Sequence, residues 1–113
     1  MNVKHREMIV VKNKRELKEL INQRIEERGP NCDLNDIDVS NVIDMSFLFY
    51  NTDFNGDISQ WDVSNVVDMS GMFAWSKFNG DISNWNVSKA FYMNKTFYMS
   101  PLSDNKPSWY RGI

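Results

Sequence analysis

Residues 55–73, with the sequence NGDISQWDVSNVVDMSGMF, hold the pattern from which the architecture is predicted. Most of this pattern occurs again 24 residues later, and a weaker form of it occurs 24 residues earlier. The register holds without an insertion from Asn31 to Leu102. The matched sets include Met45, Met69 and Met93, then Phe49, Phe73 and Phe97, then Trp61, Trp85 and Trp109. A period of this length is typical of a repeat architecture.

The period divides the chain into three repeats, 31–54, 55–78 and 79–102, and a degenerate fourth repeat, 103–113. In each repeat the Trp-x-Val alternation predicts a very short strand, because alternate side chains of a strand share one face. The three-residue step from Val63 through Val66 to Met69 then predicts a helical turn. The Asn55-Gly56 pair indicates a tight turn. We therefore expect an α/β repeat solenoid, a short coil stack of the leucine-rich-repeat type.

Residues 1–30 differ sharply from the remainder in composition. They hold all five Glu, no aromatic residue and eight Lys or Arg, whereas residues 31–113 hold all ten Asp and every aromatic residue. The run 8–11 predicts a strand, and an apolar stripe of helical spacing follows it, with Asn13 as N-cap and Gly29 as the stop. The stripe consists of Leu17, Leu20, Ile21 and Ile25. We expect residues 1–30 to form a strand–helix (βαβ) cap on the solenoid, within one domain of 1–113.

The motif of residues 55–73 resembles the BspA-like, bacterial-surface-protein class of leucine-rich repeats. The resemblance covers roughly residues 31–102, and residues 16–34 also resemble the cap that precedes such repeats in short family members. It implies a solenoid that binds other proteins, with no enzyme activity and no cofactor. The chain is short for this class, which suggests a compact stand-alone binder.

Composition also argues against catalysis. The chain has one Cys and one His, too few for a disulfide framework or a four-ligand zinc site. His5 lies in a charged stretch, and Cys32 takes a turn position that Gly fills in the next two repeats. The Asp residues recur in register, as turn caps would, rather than as one catalytic pair. We expect no enzyme activity, no cofactor and no metal.

A calcium loop is the alternative that the sequence leaves open. Oxygen-bearing side chains follow one another at alternate positions from Asn51 to Ser59 around Gly56, as they do in a calcium-binding loop. The bidentate Glu of such a loop is missing, however. The repeat explains the same Asn-Gly-Asp turn without a metal.

Location is predicted from what the chain lacks. No run approaches the roughly 18 apolar residues of a membrane span, and the apolar run 8–11 is too short for a signal peptide. We expect a soluble, cytoplasmic protein with no membrane partner.

The repeat pattern predicts a surface that binds a partner. Aromatic residues that depart from the repeat pattern are candidate anchors, because large aromatics are common at interfaces, although they could equally pack on a neighbouring coil. Polar residues on the outward side of the short strands are the second set, and their Asp-rich character would favour a basic partner. The aromatic set is Tyr50, Trp75, Tyr92 and Tyr98, and the polar set is Asp36, Asp38, Gln60, Asp62, Asn84 and Asn86.

Three hypotheses about function follow. The first is a non-catalytic, intracellular module that binds a partner protein. The second narrows this to a phage or mobile-element inhibitor of a host defence complex, similar to anti-CRISPR proteins. The third is binding of nucleic acid or an anionic surface through the basic helix, at Lys12, Lys14, Arg15, Lys18 and Arg24. The C-terminal end, with Trp109, Tyr110 and Ile113, is expected to cover the last repeat or to support a homo-oligomer.

Overall fold

Helix α1, Lys14–Arg28, begins and ends where local chemistry requires it to. The Asn13 side chain accepts a hydrogen bond from the Glu16 N–H at 3.0 Å, and the Glu16 carboxylate accepts one from the Lys12 N–H at 2.9 Å. These bonds satisfy N–H groups that a helix start leaves without partners. The helix ends at Gly29, which has φ 91° and whose N–H donates to the Ile25 carbonyl. This computed structural model describes residues 7–112.

The two strands of a parallel sheet precede and follow the helix in the sequence. Strand β1, Ile9–Val10, pairs with strand β2, Ile37–Asp38, with Ile9 opposite Ile37. One face of α1 packs on the core: Leu17 and Ile21 are fully buried, and Leu20 and Ile25 are partly buried against the same cluster. A short 3₁₀ helix, Pro101–Asp104, lies near the C-terminal end.

The expected α/β repeat solenoid of the leucine-rich-repeat type is wrong. The described chain is a small compact body with one α-helix and one two-stranded sheet, and residues 39–100 are turns, extended segments and isolated bridges. The Trp61-x-Val63 segment illustrates the physical reason. The Asp62 side chain accepts the Ser64 N–H at 3.0 Å, and the Val66 N–H bonds back to the Val63 carbonyl. Local turn bonds therefore take the place of strand pairing.

The core is built from aromatic rings that contact one another across the 24-residue blocks. The Phe73 ring lies parallel to those of Phe49 and Phe97, with centroids 5.5 and 5.7 Å away. The Trp85 ring is parallel to those of Trp61 and Trp109 within 14°, at 6.4 and 6.2 Å. Offset parallel contacts of this kind add to the stabilisation that burial supplies. The methionines of the repeat pattern are also buried here: Met45, Met69, Met72 and Met93.

Each of these indoles also bonds to a carbonyl 27 residues earlier in the chain. Trp61 Nε1–H donates to Leu34 O at 2.9 Å, Trp85 donates to Ile58 O at 3.1 Å, and Trp109 donates to Ile82 O at 2.8 Å. A buried indole N–H without an acceptor would cost free energy, so these bonds hold the large rings in the core.

The C-terminal residues pack onto this core. Trp109 and Tyr110 are partly buried against it, and the Tyr110 ring meets the Phe97 ring edge-on at 5.2 Å. Ile113, which was expected to take part, lies outside the described residues. Within residues 7–112, no helix has the length and apolar character that crossing a membrane requires.

Candidate functional site

Four large aromatic side chains form an exposed patch, here called the aromatic surface. It consists of Phe47, Tyr50, Trp75 and Tyr98, each about half exposed. Phe47 and Tyr50 meet edge-to-face at 5.8 Å, and Trp75 and Tyr98 do so at 6.0 Å. The structure thus brings together three of the four aromatic residues predicted as anchors and adds Phe47 to them.

Two residues of the aromatic surface have a backbone conformation that side chains rarely adopt. Phe47 has φ 57° and Trp75 has φ 58°, in the left-handed region. The left-handed backbone recurs at both positions in every block. The equivalents of Phe47 are Gly71, at φ 62°, and Lys95, at φ 58°, and those of Trp75 are Asn51 and Met99, both at φ 54°. Of these, Gly and Asn tolerate this region best. Phe47 and Trp75 therefore each cost about 1–3 kcal/mol of backbone strain while their side chains remain half exposed. Because every block has this positive φ, it belongs to the turn, and what distinguishes these two positions is the half-exposed aromatic ring that each carries.

A groove of about 230 Å³ lies between the two aromatic pairs. Gly71, Ala74 and Ser70 line it together with the four rings. Asn94 and Lys95 supply its polar part, and the Lys95 ammonium lies 5.1 Å from the centre of the Tyr98 ring. A cation in this position is attracted to the face of the ring, so Lys95 and Tyr98 support each other.

The polar atoms of the aromatic surface remain available for a ligand. Within residues 7–112, the Trp75 indole N–H and the hydroxyls of Tyr50 and Tyr98 form no hydrogen bond with a protein group. Their buried counterparts are bonded: Trp61, Trp85 and Trp109 all donate to carbonyls. The aromatic surface therefore offers apolar faces beside free donors, the combination that interface anchors use.

Tyr92, the fourth predicted anchor, is 60% exposed but does not line the groove. It lies at an isolated parallel bridge with Asp68. Ile43 and Phe91, two other exposed apolar residues, hold one equivalent position of the 24-residue blocks, and the partly buried Val67 holds it in the block between them. Neither this set nor Phe47 was predicted from the sequence. The signal was available, because all three blocks have an apolar residue there, outside the three-residue step assigned to the core.

Asp36, predicted as a partner-binding residue, lies in an ion pair. Its two carboxylate oxygens accept hydrogen bonds from Arg24 at 2.8 and 3.1 Å, and the Arg24 side chain is 95% buried. The bond to Arg24 lowers the pKa of the Asp36 carboxyl. This pair joins α1 to the start of β2, so both residues support the fold.

The other predicted polar residues are turn elements or exposed positions outside the groove. The side chains of Asp38, Asp62 and Asn86 each accept the backbone N–H two residues later at 3.0 Å. The bond from the Ser64 hydroxyl lowers the pKa of Asp62. Gln60 and Asn84 are exposed, and the Gln60 N–H donates to the Asn35 side chain. Turn capping was predicted at other Asp positions, and there it is confirmed: the side chains of Asp44, Asp57, Asp68 and Asp81 each accept the backbone N–H two residues later. Asp38 and Asp62, which were predicted to contact a partner, make the same turn bond.

The basic helix face is engaged by its own fold. Lys14 pairs with Asp44 at 3.2 Å, the Lys18 ammonium donates to Leu48 O at 2.6 Å, and Arg15 pairs with Glu19. Burial lowers the pKa of Lys18. Arg24 is in the buried pair with Asp36, while Lys12 is exposed. Of the five predicted cations, four are therefore held in intramolecular contacts.

The residues considered for metal binding or catalysis also have other partners. Asp53 lies 3.8 Å from Lys77, and the Asn55 side chain accepts the Asn79 N–H. Among the described residues, no three His, Cys, Asp or Glu are grouped as metal ligands would be. Cys32 is buried, and this burial raises the pKa of its thiol. His5 lies outside the described part of the chain.

The comparisons with known proteins identify a family. The chain belongs to the family described as "Mycoplasma protein of unknown function, DUF285", whose family model matches residues 16–110. This match supports the link to BspA-like surface repeat proteins at a coarse level. No curated protein and no solved structure matches the chain significantly.

Proposed function

We propose that this chain is a non-catalytic module that binds a partner protein through the aromatic surface. The observation that carries the proposal is the coincidence of exposure and strain at Phe47 and Trp75. Each is a large apolar side chain about half open to solvent, on a backbone that a Gly or an Asn would adopt at lower cost. The positive φ belongs to a turn that recurs at Lys95 and Met99. The exposure of two aromatic rings on such turns does not favour folding, and it is explained if the rings contact another molecule.

The chemistry of the aromatic surface fits a protein partner. Trp and Tyr are enriched among the residues that dominate binding energy at protein interfaces. Edge-to-face contacts hold the four rings in fixed pairs, so little side-chain freedom is lost when a partner docks. Lys95 adds a charge that can select among partners.

The proposal can be tested without disrupting the fold by replacing an aromatic residue with the residue that holds the equivalent position in another block. Trp75→Asn introduces the residue found at position 51, and Phe47→Gly introduces the residue found at position 71. Both remove an aromatic anchor and relieve the left-handed backbone. Phe91→Asn is the matched control, because Phe91 is 74% exposed and lies outside the groove.

The experiment measures capture of binding proteins by the immobilised full chain from a lysate of the source organism. We expect Trp75→Asn and Phe47→Gly to reduce retention of a specific protein about 10-fold or more, since anchor residues typically contribute at this level. Phe91→Asn should retain the same protein as the unaltered chain. The proposal fails if the two aromatic variants remain folded, by circular dichroism, and retain every protein that the unaltered chain retains.

A further inference from the structure

We propose that the segment bound in the groove is an extended, proline-rich peptide with acidic flanking residues. This inference rests on the proposed function and specifies the chemical class of the segment that the partner presents. Proline-rich segments adopt the polyproline II conformation, with about three residues per turn, and they are recognised elsewhere in grooves walled by aromatic side chains. Because this conformation is already extended in the free peptide, it binds with little loss of conformational entropy.

The groove has the shape that such a segment requires. The pair Phe47–Tyr50 and the pair Trp75–Tyr98 form its two walls, and Gly71 and Ala74 lie between them with little or no side chain. Pyrrolidine rings are flat and apolar, so they can pack on the faces of the wall residues while the backbone follows the groove. Its volume of about 230 Å³ suits a few small side chains rather than a helix.

The hydrogen-bonding groups of the groove favour a ligand rich in acceptors. The Trp75 indole N–H and the hydroxyls of Tyr50 and Tyr98 can donate, and Lys95 provides an ammonium. A proline-rich peptide offers free carbonyl oxygens, because its backbone makes no internal hydrogen bonds, and its prolines have no N–H that would need an acceptor.

Addition of a β-strand is disfavoured by the backbone of the walls. The Phe47 N–H already donates to Ser70 O at 3.0 Å, and the Trp75 N–H donates to Tyr98 O at 2.9 Å. An added strand binds through unpaired backbone groups, which these two wall residues do not offer at their N–H. At Phe47 and Trp75 recognition therefore comes from the side chains, as it does for polyproline II ligands.

The positive charges around the groove indicate which residues should flank the prolines of the bound peptide. Lys95 lies within the groove, and beyond the Phe47 end a second shallow pocket is lined by Phe47 together with Lys14, Arg15 and Lys18 of α1. Glu19 lines that pocket as well and pairs with Arg15, and Asp44 pairs with Lys14, so the three cations exceed the two carboxylates by one charge. A peptide that extends from the groove past Phe47 would gain from Asp or Glu on both sides of its prolines.

The test uses three synthetic peptides and the full chain. The first has prolines flanked by Asp and Glu, the second replaces the prolines by Ala, and the third replaces the acidic residues by Lys. Binding is followed by tryptophan fluorescence, to which the half-exposed Trp75 and the partly buried Trp109 can both respond, whereas Trp61 and Trp85 are buried. Two-dimensional NMR of the labelled protein maps the contact.

We expect the acidic proline-rich peptide to bind at least about 10-fold more tightly than either altered peptide. Its NMR shifts should be confined to the groove, and Trp75→Asn and Tyr98→Ala should weaken binding about 10-fold or more while Phe91→Asn leaves it unchanged. Equal binding of the Ala peptide, or shifts outside the groove, would overturn the inference.

Two further outcomes separate this inference from the proposed function. If no proline-rich peptide binds, but capture of a protein from the lysate still depends on Trp75, the peptide chemistry is wrong and protein binding stands. If the peptide binds at the groove but no captured protein depends on Trp75, the groove is a peptide site and the broader protein interface is wrong.

Discussion

The ring of Phe47 occupies the space that a side chain at Gly71 would need. A Cβ atom built on Gly71 would overlap Cε1 and Cδ1 of the Phe47 ring. The two residues hold equivalent positions in adjacent blocks and have nearly the same φ, 57° and 62°. One wall of the groove therefore depends on the absence of a side chain from its floor.

This relationship makes Gly71→Ala a sensitive substitution. We expect it to lower the free energy of unfolding by about 1–3 kcal/mol, because the new methyl group displaces the Phe47 ring and the residue must also keep a positive φ. Urea unfolding of the full chain, followed by circular dichroism, measures the loss.

A double-mutant cycle with Phe47→Gly identifies the steric part of this loss. In the Phe47→Gly background the cost of Gly71→Ala should fall, because the overlapping ring is gone and only the backbone cost remains. Gly29→Ala is the control, since Gly29 has φ 91° but open space around its Cα. Its cost should be the same in both backgrounds. If the effects of Gly71→Ala and Phe47→Gly are additive, the ring and the glycine are not coupled.

The pair between Arg24 and Asp36 should contribute strongly to stability. We expect Arg24→Leu to lower the free energy of unfolding by about 3–5 kcal/mol, because it leaves the largely buried Asp36 carboxylate without its partner. Arg15→Gln removes one side of the exposed Arg15–Glu19 pair and should cost less than about 1 kcal/mol. Similar losses in the two variants would show that burial does not set the strength of the Arg24 pair.

The same pair should make stability depend on pH in the acidic range. The Arg24 bond lowers the folded-state pKa of Asp36 below its unfolded value of about 4. The stabilisation is therefore fully present above about pH 4 and is lost as pH falls through the lowered folded-state pKa. Unfolding free energies measured from pH 7 down to about pH 2 should show this loss.

Asp36→Asn isolates this contribution to the acid sensitivity. The variant should be less stable at pH 7 but should lose less stability on acidification, because the Asn side chain does not titrate. Arg15→Gln, which leaves Asp36 intact, should retain the steeper dependence. An Asp36→Asn profile parallel to that of the unaltered chain would assign the acid sensitivity to other carboxyls, such as Asp62.

The indole–carbonyl bonds should differ in strength according to burial. Trp85→Phe removes the donor to Ile58 O at a buried site, so we expect a loss of about 2–4 kcal/mol from the unsatisfied carbonyl and the smaller ring. Trp109→Phe should cost less, because Trp109 is only partly buried and water can replace its bond to Ile82 O. Thermal unfolding of both variants compares them, and equal losses would contradict the argument.

Local chemistry was the most predictable part of this structure. Asn13, Glu16 and Gly29 delimit α1 because caps act within one turn of the helix. The 24-residue period correctly placed in the core the residues that recur in register: Phe49, Phe73 and Phe97, and Met45, Met69 and Met93. It also indicated that Asp side chains close turns, as those of Asp57 and Asp81 do when they accept the Ser N–H two residues later.

The architecture was less predictable, because short alternating segments fit more than one backbone. The Trp61-x-Val63 alternation buries both side chains from a turn as well as from a strand, and the Asp62 bond to Ser64 favours the turn. The partner of Arg24 could not be read from the helix alone, since Asp36 lies 12 residues later. Phe47 was missed because its neighbours Met45 and Leu48 satisfy the three-residue step that marked the core.

The constant offset of 24 positions between Phe49, Phe73 and Phe97 also constrains how the gene can evolve. One codon gained or lost between the first and last of these rings would shift later residues against their partners, so several core contacts and turn bonds would fail together. Selection should therefore remove insertions and deletions in the middle of the reading frame and tolerate them mainly at its ends. Single-base changes that alter Trp75 or Tyr98 leave that spacing intact, so the aromatic surface can diversify while the length of the coding region stays constant.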